Sequence, residues 1–318
     1  MRNLLAIATQ AEAVRIAQWI RETVLKTLGR KGVIVAISGG IDSSVVAALC
    51  VKALGAQRVF LLMLPENESS DDNARLGNLL AESVGVPPVT ESITGMLEAE
   101  GCYRRRDEAI AALIPEYRPD WKSKLVLPSV VDSDMYRLFS IVVQAPDGTQ
   151  KKARLTHDAF LSIVAAMNFK QRSRKMLEYY HADRLNYAVT GTPNLLEYDQ
   201  GFFVKLGDGA ADLKPIAHLY KTQVYALAEA LGVPEEIRSR PPSTDTYSLP
   251  QTQEEFYFSL PYDEMDLCLY ARDHGIAAAD VAGALGKTPV QIERVFRDID
   301  AKRNMARYLH SPPLLLTR

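Results

Sequence analysis

Ser38, Gly39, Gly40, Ile41, Asp42, Ser43 and Ser44 form the stretch of this sequence best suited to chemistry. Two adjacent glycines let a backbone turn sharply and approach a ligand with no side chain between. Three hydroxyls and the amides of a following helix start would then converge on one point, together with the positive end of the helix dipole. Such a point binds phosphate or pyrophosphate. Asp42 sets the stretch apart from a plain anion site, because a carboxylate beside phosphates repels them unless a cation lies between. The residue types therefore suggest magnesium held against phosphate oxygens by Asp42, with ordinary helix capping by the aspartate as the plainer reading. The stretch lacks the lysine and hydroxyl pair of the nucleotide triphosphatase loop, and the third glycine of a dinucleotide turn.

The neighbouring elements must present this stretch. Residues 33–37 are a short apolar run rich in β-branched side chains and read as a buried strand, and residues 45–54 read as a helix. Residues 58–64 predict a second strand and 71–84 a second helix, with Ser69 or Ser70 as its cap. This alternation predicts a parallel sheet covered on both faces, with ligands at the carboxyl ends of its strands. A helix over residues 8–28 precedes it. From Ser92 to Thr156 the alternation stops. Arg104, Arg105 and Arg106 head a proline-punctuated helical patch, and residues 124–131, 136–144 and 150–156 read as short strands, the last two joined as a β-hairpin through Pro146, Asp147 and Gly148. The arginine run is expected to be a solvated face, with a phosphate grip as the sharper alternative. Helical periodicity resumes over 161–184, followed by a strand at 187–189, a helix over 219–231 closed by Gly232 and Pro234, and a helical tail over 263–309.

The expected fold class is α/β, a doubly wound parallel sheet with an inserted β-hairpin segment and a helical C-terminal tail. Residues 1–91 and 157–247 are read as the two parts of a nucleotide-binding core, 92–156 as the insertion and 248–318 as the helical C-terminal region. In 318 residues, 37 Lys plus Arg stand against 39 Asp plus Glu, a balance that gives no support to general nucleic-acid affinity. Cys50, Cys102 and Cys268 lack paired spacing, which points to a reducing compartment. The apolar start of the chain is broken by Gln10, Glu12 and Arg15, so neither a signal peptide nor a membrane span is expected. The chain reads as a soluble cytoplasmic enzyme.

The residues from Ser38 to Ser44 resemble the pyrophosphatase loop of enzymes that split ATP into AMP and pyrophosphate. The second half narrows the resemblance. Asn168 to Arg174, then Thr190-Gly191-Thr192 with Glu197, Lys205 to Asp212, Leu219 to Thr222, and Pro241-Pro242-Ser243 together resemble the ammonia-dependent NAD synthetases, whose core is adenine nucleotide alpha-hydrolase-like. The resemblance implies that Ser38, Gly39, Gly40, Asp42, Ser43, Ser44, Thr192, Lys221 and Ser243 contact ATP. It implies further that Asp42 and Glu197 ligate Mg2+, that Arg172, Lys205, Asp212 and Lys302 meet deamido-NAD, and that Asp42, Ser43 and Lys221 carry the catalysis. The implied reaction joins ammonia to the nicotinate carboxylate through an acyl adenylate, releasing AMP and pyrophosphate. A homodimer is implied too. Because no cysteine stands beside Met1 to act as a glutamine hydrolase nucleophile, free ammonia or a separate ammonia-supplying partner is expected.

On the helix that carries Asn168, steps of four and three place Arg172 and Lys175 on the same face, from which Arg174 turns away. One arginine, Arg172, is thus expected in the site. The chain departs from the family pattern at a long 92–156 segment and at Ala301, where the family commonly has histidine. A related ligase acting on another carboxylate is therefore the enzymatic rival. The rival from another class is a DNA-binding regulator, because residues 279–286 and 288–294 have the cadence of helix, glycine turn and helix, although Glu293, Asp298 and Asp300 suit DNA phosphates poorly. Phe256, Tyr257 and Phe258 are expected to pack in a core or interface, with framing of a substrate ring as the alternative.

Overall fold

The computed structural model describes residues 2–127, 139–242, 247–251, 254–258 and 260–316. Helix α1 (Thr9–Glu22) leads to strand β1 (Val33–Ala36), and a tight turn then opens helix α2 (Ile41–Leu54). β2 (Val59–Met63), α3 (Asp71–Val84) and β3 (Pro88–Thr90) continue the alternation. Next come α4 (Thr94–Glu100) and α5 (Cys102–Ala111), then β4 (Lys122–Val126), β5 (Ser140–Gln144) and β6 (Gln150–Arg154). The long α6 (His157–Leu185) returns the chain to β7 (Ala188–Val189). The remainder is helical: α7 (Leu195–Gln200), α8 (Lys221–Ala230), α9 (Glu235–Ser239), α10 (Tyr262–Asp273), α11 (Ala278–Leu285) and α12 (Pro289–His310).

Among the described residues the main sheet is parallel, in the order β3-β2-β1-β7. The chain steps outward from β1 to β3 and then crosses to the other side of β1, so the strand order reverses there. Such a reversal leaves a crevice beyond the carboxyl ends of the strands, and Ser38 to Gly40 lie in it. Period-two alternation fills two layers. Val33, Val35 and Leu61 pack with α1, α2, α3 and α8, whereas Ile34, Leu62 and Val189 pack with α4, α5 and α6. The α/β doubly wound expectation holds.

The hairpin is present as β5 and β6, closed by Thr149 N donating to Asp147 Oδ1 at 2.9 Å. It is larger than expected, because β4 pairs with β5 to make a three-stranded antiparallel sheet. Leu125, Ile141 and Val143 from that sheet bury against Ile110, Ile114 and the first turns of α6 at Ile163 and Met167. The strand expected at 124–131 starts two residues earlier, and residues 128–138 lie outside the described ones. Two helices also begin four residues ahead of their apolar periodicity. α6 starts after Thr156, whose hydroxyl accepts from Ala159 N at 3.2 Å. α2 starts at Ile41, with Gly40 extended at the cap position, so Asp42, Ser43 and Ser44 belong to a helical first turn and not to the loop.

The suggested helix-turn-helix is a packed helix pair. Gly286 turns in the left-handed region between α11 and α12, and Val281, Ala282, Ile292, Val295 and Ile299 share one core with α10. The exposed face of α12 carries Glu293 beside Arg297, and Asp300 accepts from Arg272 at 2.8 Å, so acids stand on the side that DNA phosphates would meet.

Gly39 has φ +75, and a Cβ placed there would lie 2.8 Å from the Asn73 carbonyl and 3.0 Å from the Leu76 side chain. Both backbone sign and space exclude a side chain. Gly39→Ala is expected to lower stability by at least ~1 kcal/mol, the scale of left-handed strain at one residue. The urea unfolding midpoint checks this, and an unchanged midpoint would contradict it.

Candidate active site

A cavity of about 510 Å³ opens beyond the carboxyl ends of β1, β2 and β7. The turn after β1 forms its floor. The Ser43 hydroxyl donates to Gly40 O at 3.0 Å and lies 3.4 Å from both Ser38 N and Ser38 Oγ, while Gly40 N donates to Ser38 Oγ at 3.3 Å. Hydroxyls thus brace the turn from inside, and the start of α2 aims its dipole into the cavity.

Asp42 stands at that helix start, where both of its oxygens are engaged. Oδ1 accepts from Asn194 Nδ2 at 3.0 Å, and Oδ2 accepts from Lys221 Nζ. Asn194 is fully buried and caps α7: its Oδ1 accepts from Glu197 N at 3.1 Å, and Glu197 Oε2 accepts from Asn194 N at 3.2 Å. This reciprocal cap fixes Glu197 on the cavity wall beside Asp42. Burial, and then the negative charge of Asp42, push the Glu197 carboxyl up to about 8. Lys221 is fully buried at the first position of α8. Burial opposes its charge, but Asp42 and Glu197 outweigh it and hold the ammonium above its ordinary value. Asp266 of α10 accepts from Lys221 N at 3.2 Å and Thr222 N at 2.7 Å, which ties the start of α8 to the C-terminal helices. Burial raises the Asp266 carboxyl to about 6.

The opposite wall is cationic. Lys170, Arg174 and Lys175 of α6 and Arg240 after α9 line the cavity, with the ammonium of Lys170 turned back to Glu66 and Glu68. Arg174 Nε donates to Leu64 O at 3.2 Å, and Arg240 donates to Asn73 Oδ1 at 2.7 Å. Two further acids lie there. Glu178 pairs with Lys175 at 2.6 Å, and Asp208 accepts from Val204 N at 2.7 Å; burial raises both carboxyls. An anion of polyphosphate size thus finds the amides of the turn on one side and Arg174 and Arg240 on the other, with Asp42 and Glu197 beside the turn.

The family model for NAD synthase matches residues 12–114 and 128–308. The chain belongs to this family. It is 57% identical over 314 residues to the NH(3)-dependent NAD(+) synthetase of Rhizobium meliloti strain 1021, across 99% of this chain and 94% of that one. Its fold is similar to the NMN synthetase of Francisella tularensis, with a TM-score of 0.66 and 22% identity over 98% of this chain and 100% of that one. It is also similar to the NH3-dependent NAD synthetase of Campylobacter jejuni, with a TM-score of 0.64, 22% identity and the same coverage. The fold is shared by both kinds of enzyme.

Within this family member, Ser38, Gly39, Gly40, Asp42, Ser43, Thr192, Glu197 and Lys221 all line the cavity. Ser44 does not: it is buried, and its hydroxyl turns back to Gly40 O at 2.8 Å as first-turn residues do. Ser243 lies outside the described residues. The face of α6 differs from expectation. Gln171, Arg174, Lys175 and Glu178 line the cavity, whereas Arg172 points to the outer edge, where its Nε donates to Lys205 O at 3.3 Å. Of the three residues expected on one face, Asn168 and Lys175 line the cavity and Arg172 does not, because at about 100° per residue the cavity face is centred on Gln171 and Glu178. Lys205 Nζ donates to Tyr308 O and Ser311 O at 2.7 and 2.9 Å, which closes the end of α12. Asp212 accepts from Val189 N at 2.8 Å and Tyr179 OH at 3.3 Å. Lys302 is one layer back, donating to Tyr257 O at 2.6 Å and pairing with Asp298. Tyr257 and Phe256 line the cavity, whereas Phe258 is core.

Asn194, Glu178 and Asp208 escaped the reading of the residues as site groups. Asn194-x-x-Glu197 is a capping-box pattern, and it could have flagged the asparagine. The raised Glu197 carboxyl has a measurable consequence. An exposed glutamate releases its proton near 4.5, but in the fold Glu197 holds it up to about 8. The folded state therefore binds the extra proton between those values, and stability falls as pH rises through that window. Glu197→Gln should flatten this fall in melting temperature between pH 5 and pH 8 in chelator. A variant with the same pH profile would contradict the buried-acid assignment.

Proposed function

We infer that the protein forms NAD by joining ammonia to the nicotinate carboxylate of deamido-NAD at the expense of ATP. The observation that supports this most is the buried constellation of Asp42, Asn194, Glu197 and Lys221 beside a glycine turn at the strand-order reversal, in a chain so similar to NH(3)-dependent NAD(+) synthetases. ATP phosphates lie on the Ser38 to Ser43 turn, against the amides that start α2 and opposite Arg174 and Arg240.

The donor set fits magnesium. Asp42 and Glu197 are hard oxygen donors whose mutual repulsion contributes to the raised Glu197 carboxyl, and a divalent cation would relieve it. Magnesium is typically held by one or two carboxylates and completed by phosphate oxygens, which this pair allows. Bound there, it would neutralise charge on the pyrophosphate. Lys221, positive and buried, keeps Asp42 in place and places a cation beside the phosphates as pyrophosphate departs.

The reaction has two steps. A carboxylate oxygen of the nicotinate attacks the α-phosphorus as the bond to pyrophosphate breaks, giving the acyl adenylate. Ammonia then adds to the acyl carbon, AMP leaves with that carboxylate oxygen, and a proton is lost. Asp208 and Glu178, whose carboxyls are raised by burial, stand in the same cavity to take that proton. Arg172 and Asp212 remain our proposed contacts for the distal part of deamido-NAD, approached from the outer edge of α6, whereas the amino groups of Lys205 and Lys302 hold the C-terminal region instead. Met176, Tyr180 and Leu206 are exposed large apolar side chains near that edge, and we assign them to a homodimer contact. Ammonia comes free or from a separate partner. The three cysteines are unpaired and buried, in keeping with a reducing, cytoplasmic setting. No described helix is long and apolar enough to cross a membrane.

Deamido-NAD labelled with 18O in its carboxylate tests the adenylation step. One labelled oxygen should appear in AMP, whereas label found in inorganic phosphate would contradict it. Asp42→Asn should lower AMP formation ~100- to 1,000-fold, the scale of one lost preorganised group, while keeping the wild-type circular dichroism spectrum. Near-normal turnover would remove Asp42 from the mechanism.

A further inference from the structure

After β2 the chain forms one rim of the cavity, with Leu64, Pro65, Ser69 and Ser70 facing the space where the nucleotide is placed. This rim feeds α3, and α3 lies against the phosphate turn so closely that Gly39 has no room for a Cβ beside Asn73. Where the rim sits therefore decides where the turn's neighbours sit. The two acids of the rim point the other way, into the protein. Glu66 accepts from Lys170 Nζ at 2.8 Å and from Tyr103 OH at 2.6 Å, and Glu68 accepts from Lys170 Nζ at 2.5 Å and from Arg106 at 2.5 Å. The rim is internally tied as well: Glu66 N donates to Ser69 Oγ at 3.0 Å, and Glu68 N to Glu66 Oε2 at 3.0 Å.

Tyr103 and Arg106 come from α5, in the segment that the sequence sets apart from the nucleotide-binding core. They lie three residues apart on one face, flanked by buried Cys102 and Ile110. Asp107 completes the cluster, accepting from Arg106 Nε at 2.9 Å and from Tyr117 OH at 3.0 Å. Arg104 and Arg105, by contrast, are solvated. One arginine of the run is thus built into the wall behind the site. Burial works against the Arg106 charge, but Glu68 and Asp107 outweigh it and raise the guanidinium further. Lys170 lines the cavity wall and its buried ammonium pairs with both rim acids, so it ties the rim to α6. Buried charge networks of this kind are expensive to desolvate and give little net stability compared with apolar packing. What they do supply is a fixed geometry, because each carboxylate oxygen has one place to be.

We propose that Arg106 and Tyr103 of α5 are positioning residues for ATP, acting through Glu68 and Glu66 to hold the 64–70 rim against the nucleotide. The proposal rests on the ATP site described above, and its test separates the two. ATP and deamido-NAD affinities are measured by titration calorimetry, beside turnover, for wild type, Arg106→Met and Arg106→Lys. Arg106→Met should weaken ATP ~10- to 100-fold, the scale for losing an outer-shell partner, with deamido-NAD affinity unchanged. Arg106→Lys, which keeps a charge for Glu68, should recover most of the ATP affinity. Folded Arg106→Met with wild-type ATP affinity would overturn the proposal, as would equal weakening toward both ligands or no rescue by lysine. Should Arg106→Met fail to fold, Tyr103→Phe carries the same comparison with a smaller expected loss, and an unchanged ATP affinity there overturns it. Wild type that binds ATP but forms no NAD refutes the acceptor assignment alone, and wild type that does not bind ATP refutes both.

Discussion

Lys221 and Asp42 meet across the two halves of the chain, and the site depends on that contact. Asp42 belongs to the first turn after β1 and Lys221 to the first turn of α8, so their pairing brings distant sequence together beside the phosphate turn. Burying one charge alone would be strongly unfavourable. Here the lysine is offset by Asp42, and Asn194 donates one hydrogen bond to each carboxylate and accepts a third from the Glu197 backbone N–H. Asp266 and the core around Phe258 and Leu269 fix α8 from behind. These groups are held by one another through direct hydrogen bonds, which is what catalysis by position and charge requires.

The glycine turn after β1 was legible because its signal is local. A β-branched run, two glycines, hydroxyls and an apolar helix occupy consecutive positions, and each follows backbone rules that need no distant contact. The edges were less legible. α2 begins at Ile41 because Gly40 can serve as an extended cap, a choice that apolar periodicity starting at Val45 does not reveal. β3 is three residues long and is held mainly by its partner β2, so its sequence alone reads as linker.

Side-chain direction on α6 was the harder question. Polar residues occur on several faces of that helix, since one side meets the sheet, another the cavity and a third the inserted segment. The buried polar groups Lys170, Lys175 and Glu178 therefore mimic a surface in the sequence, and only the packing shows that the cavity face runs through Gln171 and Arg174. Arg106 was hidden by the same logic. Two solvated arginines precede it, and its partner Glu68 is 38 positions away. Lys205 and Lys302 stand on motif positions, yet their amino groups are spent on backbone carbonyls of the C-terminal region, a role that no spacing reveals.

In the function we propose, the two carboxylates, the buried lysine and the glycine turn act together to activate a carboxylate with ATP. This role is tested most directly by purified protein incubated with ATP, magnesium, ammonium and deamido-NAD, with NAD, AMP and pyrophosphate quantified separately. The three products are expected in equal amounts, and none when deamido-NAD is omitted. Release of ADP and phosphate, or AMP without NAD, would contradict it.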